Sequence, residues 1–265
     1  MKTRLLPLGI MLLAAAACSE GTTGTVSLAL TTARPLGAAL ASAPVSIAAA
    51  PQVTTAGDST VIALGNDTIV LRSIEVVLRE IELKRVEADS CDSVMDNDDC
   101  EEFEVGPTLI TLPLGSAATA TVISVSAPAG MFDRLEFEVH KPDATTDAAF
   151  IAAHPNFADV SIRVTGTFSN AGTRTDFTFT SDLNEKQEIV LDPPLTVAEG
   201  AGTNVTLRLD IARWFVSGTA LVDPATANKG GQNENVVRDN IRGSIDAFRD
   251  DNHDGHDDDH SGPGS

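Results

Sequence analysis

The sequence predicts an all-β fold, an antiparallel β-sandwich with one C-terminal helix. Three observations predict it. From Ser59 onward, short segments alternate between apolar and polar residues, which is the period of strands with one buried face. Turn residues separate these segments at short intervals. Near the C-terminus, the spacing of apolar residues changes to the helical period.

Each predicted strand follows from its own alternation. The stretch 59–71 contains two alternating runs around the Gly-Asn-Asp turn at 65–67, which predicts a hairpin. Further alternating stretches are 134–140, 160–168, 177–179 and 205–211. In the first of these, Leu135 and Phe137 are predicted to face the core and Glu136 to face water. Together they favour a sandwich of immunoglobulin-like or transthyretin-like type.

The segment 73–87 fits either a helix or a strand. Ile74, Val77 and Ile81 recur at helical spacing. However, an alternating pattern also runs from Ile74 to Leu78 and resumes at Ile81 after a change of phase by one residue. A β-bulge explains such a change. Because the surrounding segments are strands, we predict a bulged strand here.

A helix is predicted over residues 234–248. Val237, Ile241, Ile245 and Phe248 share one helical face, although a glycine lies within the segment. We expect this helix to cover a sheet edge or one end of the sandwich.

Composition divides the chain into four parts. We expect a lipoprotein signal peptide at 1–17, a lipidated cysteine with an Ala/Thr/Ser-rich tether at 18–58, the β-sandwich with its helix at 59–248, and an acidic disordered tail at 249–265. Within the tether, Val26, Leu28 and Leu30 form one short alternating piece. A division of the body into two sandwiches near 140–155 is the alternative.

The N-terminus has the pattern of an export signal. Lys2 and Arg4 precede an apolar run at 5–17, which is shorter than the ~20 residues of a membrane-spanning helix. Small residues lead into Cys18, as in the lipidation motif of bacterial lipoproteins, and Ser19 favours sorting to the outer membrane. We expect membrane attachment through lipid on Cys18. The alternative is an ordinary cleaved signal.

The charge of the chain is strongly negative. The formal net charge is -20, and acidic residues are concentrated at 87–104 and 246–265. Nucleic acid is therefore not an expected partner. Two acidic stretches attract cations or simply keep the protein solvated.

The cysteines agree with export. If Cys18 carries lipid, Cys91 and Cys100 remain, and a pair in an oxidising compartment predicts a disulfide. The alternative is a thiolate metal site, for which two cysteines supply too few ligands.

Three segments resemble a known family. VLREIELKR at 77–85, PAGMF at 128–132 and RLEFEVHKPD at 134–143 resemble bacterial lipoproteins that carry an uncharacterised all-β domain of unknown function. The resemblance implies a β-sandwich on a lipid anchor. It supplies no catalytic residues.

The usual catalytic motifs are missing from the sequence, including the nucleophile elbow, the zincin helix and the phosphate loops. His140 and His154, with Asp143 or Asp147, are candidates for a metal or acid-base site. Trp214 is a candidate stacking platform for a glycan or other small ligand, and core packing is the alternative.

The acidic tail partly fits a calcium loop. Its candidate ligands are Asp250, Asn252, Asp254, His256 and Asp258. Ser261 stands where a bidentate glutamate is expected, so any binding of Ca²⁺ should be weak. His253, His256 and His260 among the aspartates give zinc or nickel binding as a second possibility, and a disordered tail as the third.

These observations predict a non-catalytic outer-membrane or surface lipoprotein that acts as an interaction or structural module, with possible weak calcium binding. Its expected partners are the membrane, through the lipid, and a surface protein or glycan. The first alternative is a sandwich that binds a glycan or small ligand through Trp214. The second is a metal-dependent hydrolase that uses His140 and His154.

Overall fold

The computed structural model describes residues 23–32, 50–86, 100–103, 106–115 and 119–250. Its strands are β1 (Thr23–Thr31), β2 (Gln52–Ala56), β3 (Ser59–Leu64), β4 (Asp67–Arg85), β5 (Cys100–Phe103), β6 (Thr108–Thr111), β7 (Thr119–Pro128), β8 (Gly130–Val139), β9 (Ile162–Asn170), β10 (Thr173–Ser181), β11 (Glu185–Val197), β12 (Gly202–Leu209), β13 (Val216–Ser217), β14 (Ala220–Leu221) and β15 (Ile245–Arg249). The helices are α1 (Ala148–Ala153) and α2 (Glu234–Arg242), and single 3-10 turns lie at Pro155–Phe157, Ile211–Arg213 and Pro224–Ala227.

Two sheets form the body, which confirms the predicted all-β sandwich. The smaller sheet has the order β15-β12-β1-β7. The larger one runs β10-β9-β4-β3-β2, while β5, β6 and β8 also pair with β4, and β11 pairs with β8. Neighbouring strands are antiparallel, except that β1 runs parallel to β12.

The long strand β4 contains the predicted bulge. Its pairing with β8 shifts register between Arg79 and Ile81, and Glu80 between them has a φ of 47°. Ile74 and Leu78 before the bulge are buried, and so is Ile81 after it. The extra residue therefore returns the apolar positions to the core face, and the strand assignment is confirmed.

The core lies between the two sheets. Val26 and Val205 of the smaller sheet face Ile81, Leu83 and Leu135 of the larger one across a narrow apolar gap. All five residues are buried. Burial of these facing apolar surfaces is the main stabilising contribution to such a sandwich.

The predicted division between a tether at 18–58 and a sandwich from residue 59 is wrong, because the strands β1 and β2 lie within the predicted tether and pair into the two sheets. The alternating piece around Leu28 is the strand β1, which lies between β12 and β7 inside the smaller sheet. Val26, Leu28 and Leu30 are buried in the core. The sandwich therefore begins no later than Thr23, because a central strand of a sheet belongs to its body.

The predicted C-terminal helix is too long. Helix α2 ends at Arg242, and the backbone N–H of Gly243 donates to the oxygen of Asp239. The residues Ile245–Arg249 then form the edge strand β15 on β12. This segment forms its backbone hydrogen bonds with the edge of β12. The helical spacing of Ile245 and Phe248 in the sequence is therefore a coincidence.

The stretch 140–155 crosses one end of a continuous sheet. Strand β8 precedes this stretch and β9 follows it, and both pair with β4. A division into two sandwiches at this point would cut that sheet.

Candidate binding groove

The connection between β8 and β9 builds a groove at the end of the large sheet. It contains the helix α1 and the 3-10 turn Pro155–Phe157. The groove has a volume of about 610 Å³. Its lining residues are His140, Lys141, Pro142, Asp143, Ala144, Ala148, Ile151, Ala152, Ala158 and Asp159.

Two aspartates fix the shape of the groove. The Asp143 carboxylate accepts hydrogen bonds from the backbone N–H groups of Thr145 (2.7 Å) and Thr146 (3.0 Å). These N–H donors hold the pKa of Asp143 below its usual value. Asp147 accepts from the Asp143 N–H at 2.7 Å and lies 3.6 Å from the Arg79 guanidinium. These contacts stabilise the loop and tie it to β4.

A chain of charges extends from one rim of the groove, formed by Lys141 and Asp159. Lys141 forms an ion pair with Asp159, and its hydrogen bond lowers the pKa of Asp159. Lys229 lies 3.8 Å from Asp159 and 2.7 Å from Asp182, which also pairs with Arg238 at 2.8 Å. These contacts connect the rim to helix α2.

The groove floor is aliphatic. Pro142, Ala148, Ile151, Ala152 and Ala158 line it. Small-ligand sites typically measure ~300 to 1,000 Å³ and combine mostly apolar walls with a few polar groups. The size and the lining of this groove agree with that pattern.

The two candidate histidines do not form a common site. His140 lines the groove and its ring Nδ1 donates to the oxygen of Lys141, whereas His154 packs against Phe150 with ring centroids 4.7 Å apart. Asp147 is occupied by its contacts in the loop. Within the described ranges, no three His, Cys, Asp or Glu side chains are placed to hold a metal ion.

The prediction that Trp214 is a stacking platform is wrong. Trp214 is fully buried, and its indole N–H donates to the Ser244 hydroxyl at 2.8 Å. The neighbouring Phe215 packs edge-on against Phe179. A ring without exposed surface cannot stack on a ligand, so the core-packing alternative applies.

The first candidate ligand of the predicted calcium loop points into the protein. Asp250 is fully buried, and its carboxylate accepts a hydrogen bond from Thr206 at 2.9 Å. The strand β15 precedes it instead of the helix that a calcium-binding helix-loop-helix requires. The other candidates, Asn252, Asp254, His256 and Asp258, lie outside the described residues, and calcium binding by them stays a prediction.

The cysteine predictions also stay open. Cys18 and Cys91 lie outside the described residues, and Cys100 opens the strand β5. The lipid anchor and the disulfide are therefore still predictions.

A buried ion pair on the outer face of the large sheet was not predicted. Glu136, expected to face water, has only 4% of its side chain exposed, and its partner Lys84 has 7%. Lys186 lies 2.6 Å from the second Glu136 oxygen, and Glu188 lies 3.8 Å from Lys84. Although burial raises the pKa of Glu136, the hydrogen bonds from Lys186 and Lys84 hold it at about 2.

The carboxylate opposite Glu136 on β4 behaves differently. Glu82 lies in register with Glu136 across the β4–β8 pair. Burial and the negative charge of Glu136 raise the pKa of Glu82. The outer face of these strands thus contains one carboxylate that is strongly stabilised in its charged form and one that is not.

No family model, no curated protein and no solved structure matches this chain. The resemblance to lipoproteins with an all-β domain therefore stays a prediction. In the part of the chain that the structure describes, no helix has the length and apolar character needed to cross a membrane.

Proposed function

We propose that this chain is a non-catalytic binding module, held at the outer membrane by lipid on Cys18, and that the groove between β8 and β9 is its binding site. The observation that carries the proposal is the groove itself, with its aliphatic floor, its ionic rim and its fixed loop. Loops on a rigid sandwich are common positions for binding sites.

The lining of the groove favours a ligand or a partner segment with a compact apolar body. Ile151 and the alanines offer apolar contact, and the Lys141–Asp159 pair at the rim offers a donor and an acceptor. A glycan is less well suited, because sugar rings bind best against exposed aromatic faces and Trp214 is buried.

The groove is tested with N-phenyl-1-naphthylamine, a neutral apolar dye that the negative charge of the protein does not repel. A chain from Ser19 to Ser265 retains every described residue and carries no lipid. We expect a saturable rise in fluorescence with one dye per chain. The Ile151→Asp variant should bind at least tenfold more weakly, or about 1.4 kcal/mol, because it places a charge on the apolar floor.

The matched control is Val190→Asp, which makes the same kind of change at a side chain outside the groove lining, in a residue that is 67% exposed. This variant should bind the dye like the wild type. Near-ultraviolet dichroism of Trp214 checks that both variants are folded. Absence of saturable binding, or equal losses in the two variants, contradicts the proposed site.

The lipid anchor is tested by metabolic labelling with an alkyne fatty acid in a Gram-negative host. We expect the full-length chain to be labelled and to fractionate with the outer membrane, because the lipid supplies the membrane affinity. Cys18→Ala should abolish the labelling and the fractionation with the outer membrane. The control Cys100→Ser should retain the labelling and the fractionation. Label that persists in Cys18→Ala, or membrane association without label, contradicts the anchor.

A further inference from the structure

Among the residues that the structure describes, the strand β10 lies at an edge of the larger sheet. Within the described ranges, it pairs with β9 on one side, and the turn Ala171–Gly172 connects the two strands. On its outer side, the N–H of Thr180 donates to the Asn228 side-chain oxygen at 2.7 Å, and the Asn228 amide donates to the oxygen of Thr178 at 3.3 Å. Even-numbered residues of β10 therefore direct their backbone groups outward.

Asn228 limits the free part of this edge. Its amide group occupies the outer side of β10 at Thr178 and Thr180, in the manner of a short added strand. Residues 173–177 come before it, and the four from Thr173 to Asp176 are exposed. An exposed edge of this kind is a template for pairing with another strand.

The free segment is complementary to itself. Its central residue is Thr175, and Arg174 and Asp176 flank it. In an antiparallel pairing about a two-fold axis at Thr175, Arg174 of each copy lies opposite Asp176 of the other. These are also the residues whose backbone groups point outward, so the same register forms four backbone hydrogen bonds.

We propose that two copies of this chain pair edge to edge through residues 173–177 of β10, with the two-fold axis at Thr175. The proposal does not depend on the groove. Such an interface is isologous and closes as a dimer. Asn228 sets the length of this interface, because it occupies the edge of β10 from Thr178 onward. The paired segment therefore ends at residue 177.

Within one chain, neighbouring side chains position the charged groups of Arg174 and Asp176. Asp176 lies 3.3 Å from the Arg72 guanidinium, and 77% of its side chain is exposed. The Arg174 guanidinium donates to the Thr167 hydroxyl at 3.1 Å. Both side chains thus lie on the outer face of the sheet, where a second copy adds opposite charges.

Charge reversal tests the register. Sedimentation equilibrium of the Ser19–Ser265 chain at high concentration should show a dimer for the wild type. Arg174→Asp alone and Asp176→Arg alone place like charges opposite each other and should weaken dimerisation at least tenfold. An equimolar mixture of these two variants should dimerise again, because each supplies the charge that the other lacks.

The double variant Arg174→Asp with Asp176→Arg should dimerise like the wild type. Circular dichroism confirms the fold of each variant, since all the changes lie at exposed positions. A wild type that stays monomeric, single variants that associate like the wild type, or a mixture that stays monomeric each overturns the proposal.

A cross-link tests the axis. In this register the two Thr175 residues form a non-hydrogen-bonded pair with Cβ atoms ~5 Å apart, close to the reach of a disulfide. Thr175→Cys should therefore give a covalent dimer on mild oxidation. The control Thr178→Cys, on the part of the edge that Asn228 occupies, should not. Equal cross-linking of the two variants, or none in either, contradicts the axis at Thr175.

Discussion

Replacing Trp214 with alanine is expected to lower the free energy of unfolding by about 3 to 5 kcal/mol. The side chain is fully buried in the core, so its removal leaves a cavity that the surrounding residues fill only partly. The loss also removes the donor of the hydrogen bond to Ser244. Urea unfolding followed by far-ultraviolet circular dichroism measures the effect without relying on tryptophan fluorescence.

Two further variants measure the contribution of the hydrogen bond and provide an exposed control. Ser244→Ala leaves the indole N–H without its hydroxyl acceptor and should cost about 1 to 3 kcal/mol. Val190→Ala, at an exposed position, should change stability by less than about 0.5 kcal/mol. A loss below 1 kcal/mol for the tryptophan variant would show that the ring is not part of the packed core.

Breaking the buried ion pair with Glu136→Gln is expected to cost on the order of 3 kcal/mol at neutral pH. Lys84 would keep its charge at a position where 7% of its side chain is exposed, with Glu188 at 3.8 Å as its remaining acidic partner. Replacing both residues of the pair with methionine should be much less harmful, because no buried charge is left unpaired.

The control for this prediction is a surface ion pair. Asp246 pairs with Arg208 and has 54% of its side chain exposed. Asp246→Asn should cost less than about 1 kcal/mol. Equal losses for Glu136→Gln and Asp246→Asn would contradict the structural role of the buried pair.

The same pair predicts a dependence on pH. The pKa of Glu136 falls from its usual 4.5 to about 2 in the folded chain. A depressed pKa contributes stability that is fully present above the unfolded value and is lost as the pH falls toward the folded value. The wild type should therefore lose this contribution between about pH 4.5 and 2. Glu136→Gln should show a shallower loss over that window.

Much of the fold was predictable because each strand buries one face. The alternation around Leu135 and Phe137 depends only on local sequence, and both residues are buried as expected. The bulge near Glu80 was also predictable, since it leaves a change of phase in the apolar pattern. Local patterns therefore identified these strands, whereas β7 and β11 were not among the predicted segments. The C-terminal helix was overextended because Ile245 continued its spacing by chance.

The site was less predictable, because its features depend on contacts between distant residues. Glu136 is buried by Lys84 and Lys186, which come from strands on either side of it. From the sequence, the stretch 140–155 was considered only as a possible division between two sandwiches and as the location of His140 and His154. Its open space depends on how α1 packs, and its rim depends on the pairing of Lys141 with Asp159, 18 residues away.

The most direct test of the proposed function is to map where the apolar dye binds. Backbone ¹H–¹⁵N spectra of the Ser19–Ser265 chain are recorded during titration with N-phenyl-1-naphthylamine. We expect the largest shift changes to fall within residues 140–159, around Ile151 and Lys141. Changes concentrated elsewhere on the sandwich, or no saturable changes at all, would contradict the groove as the binding site.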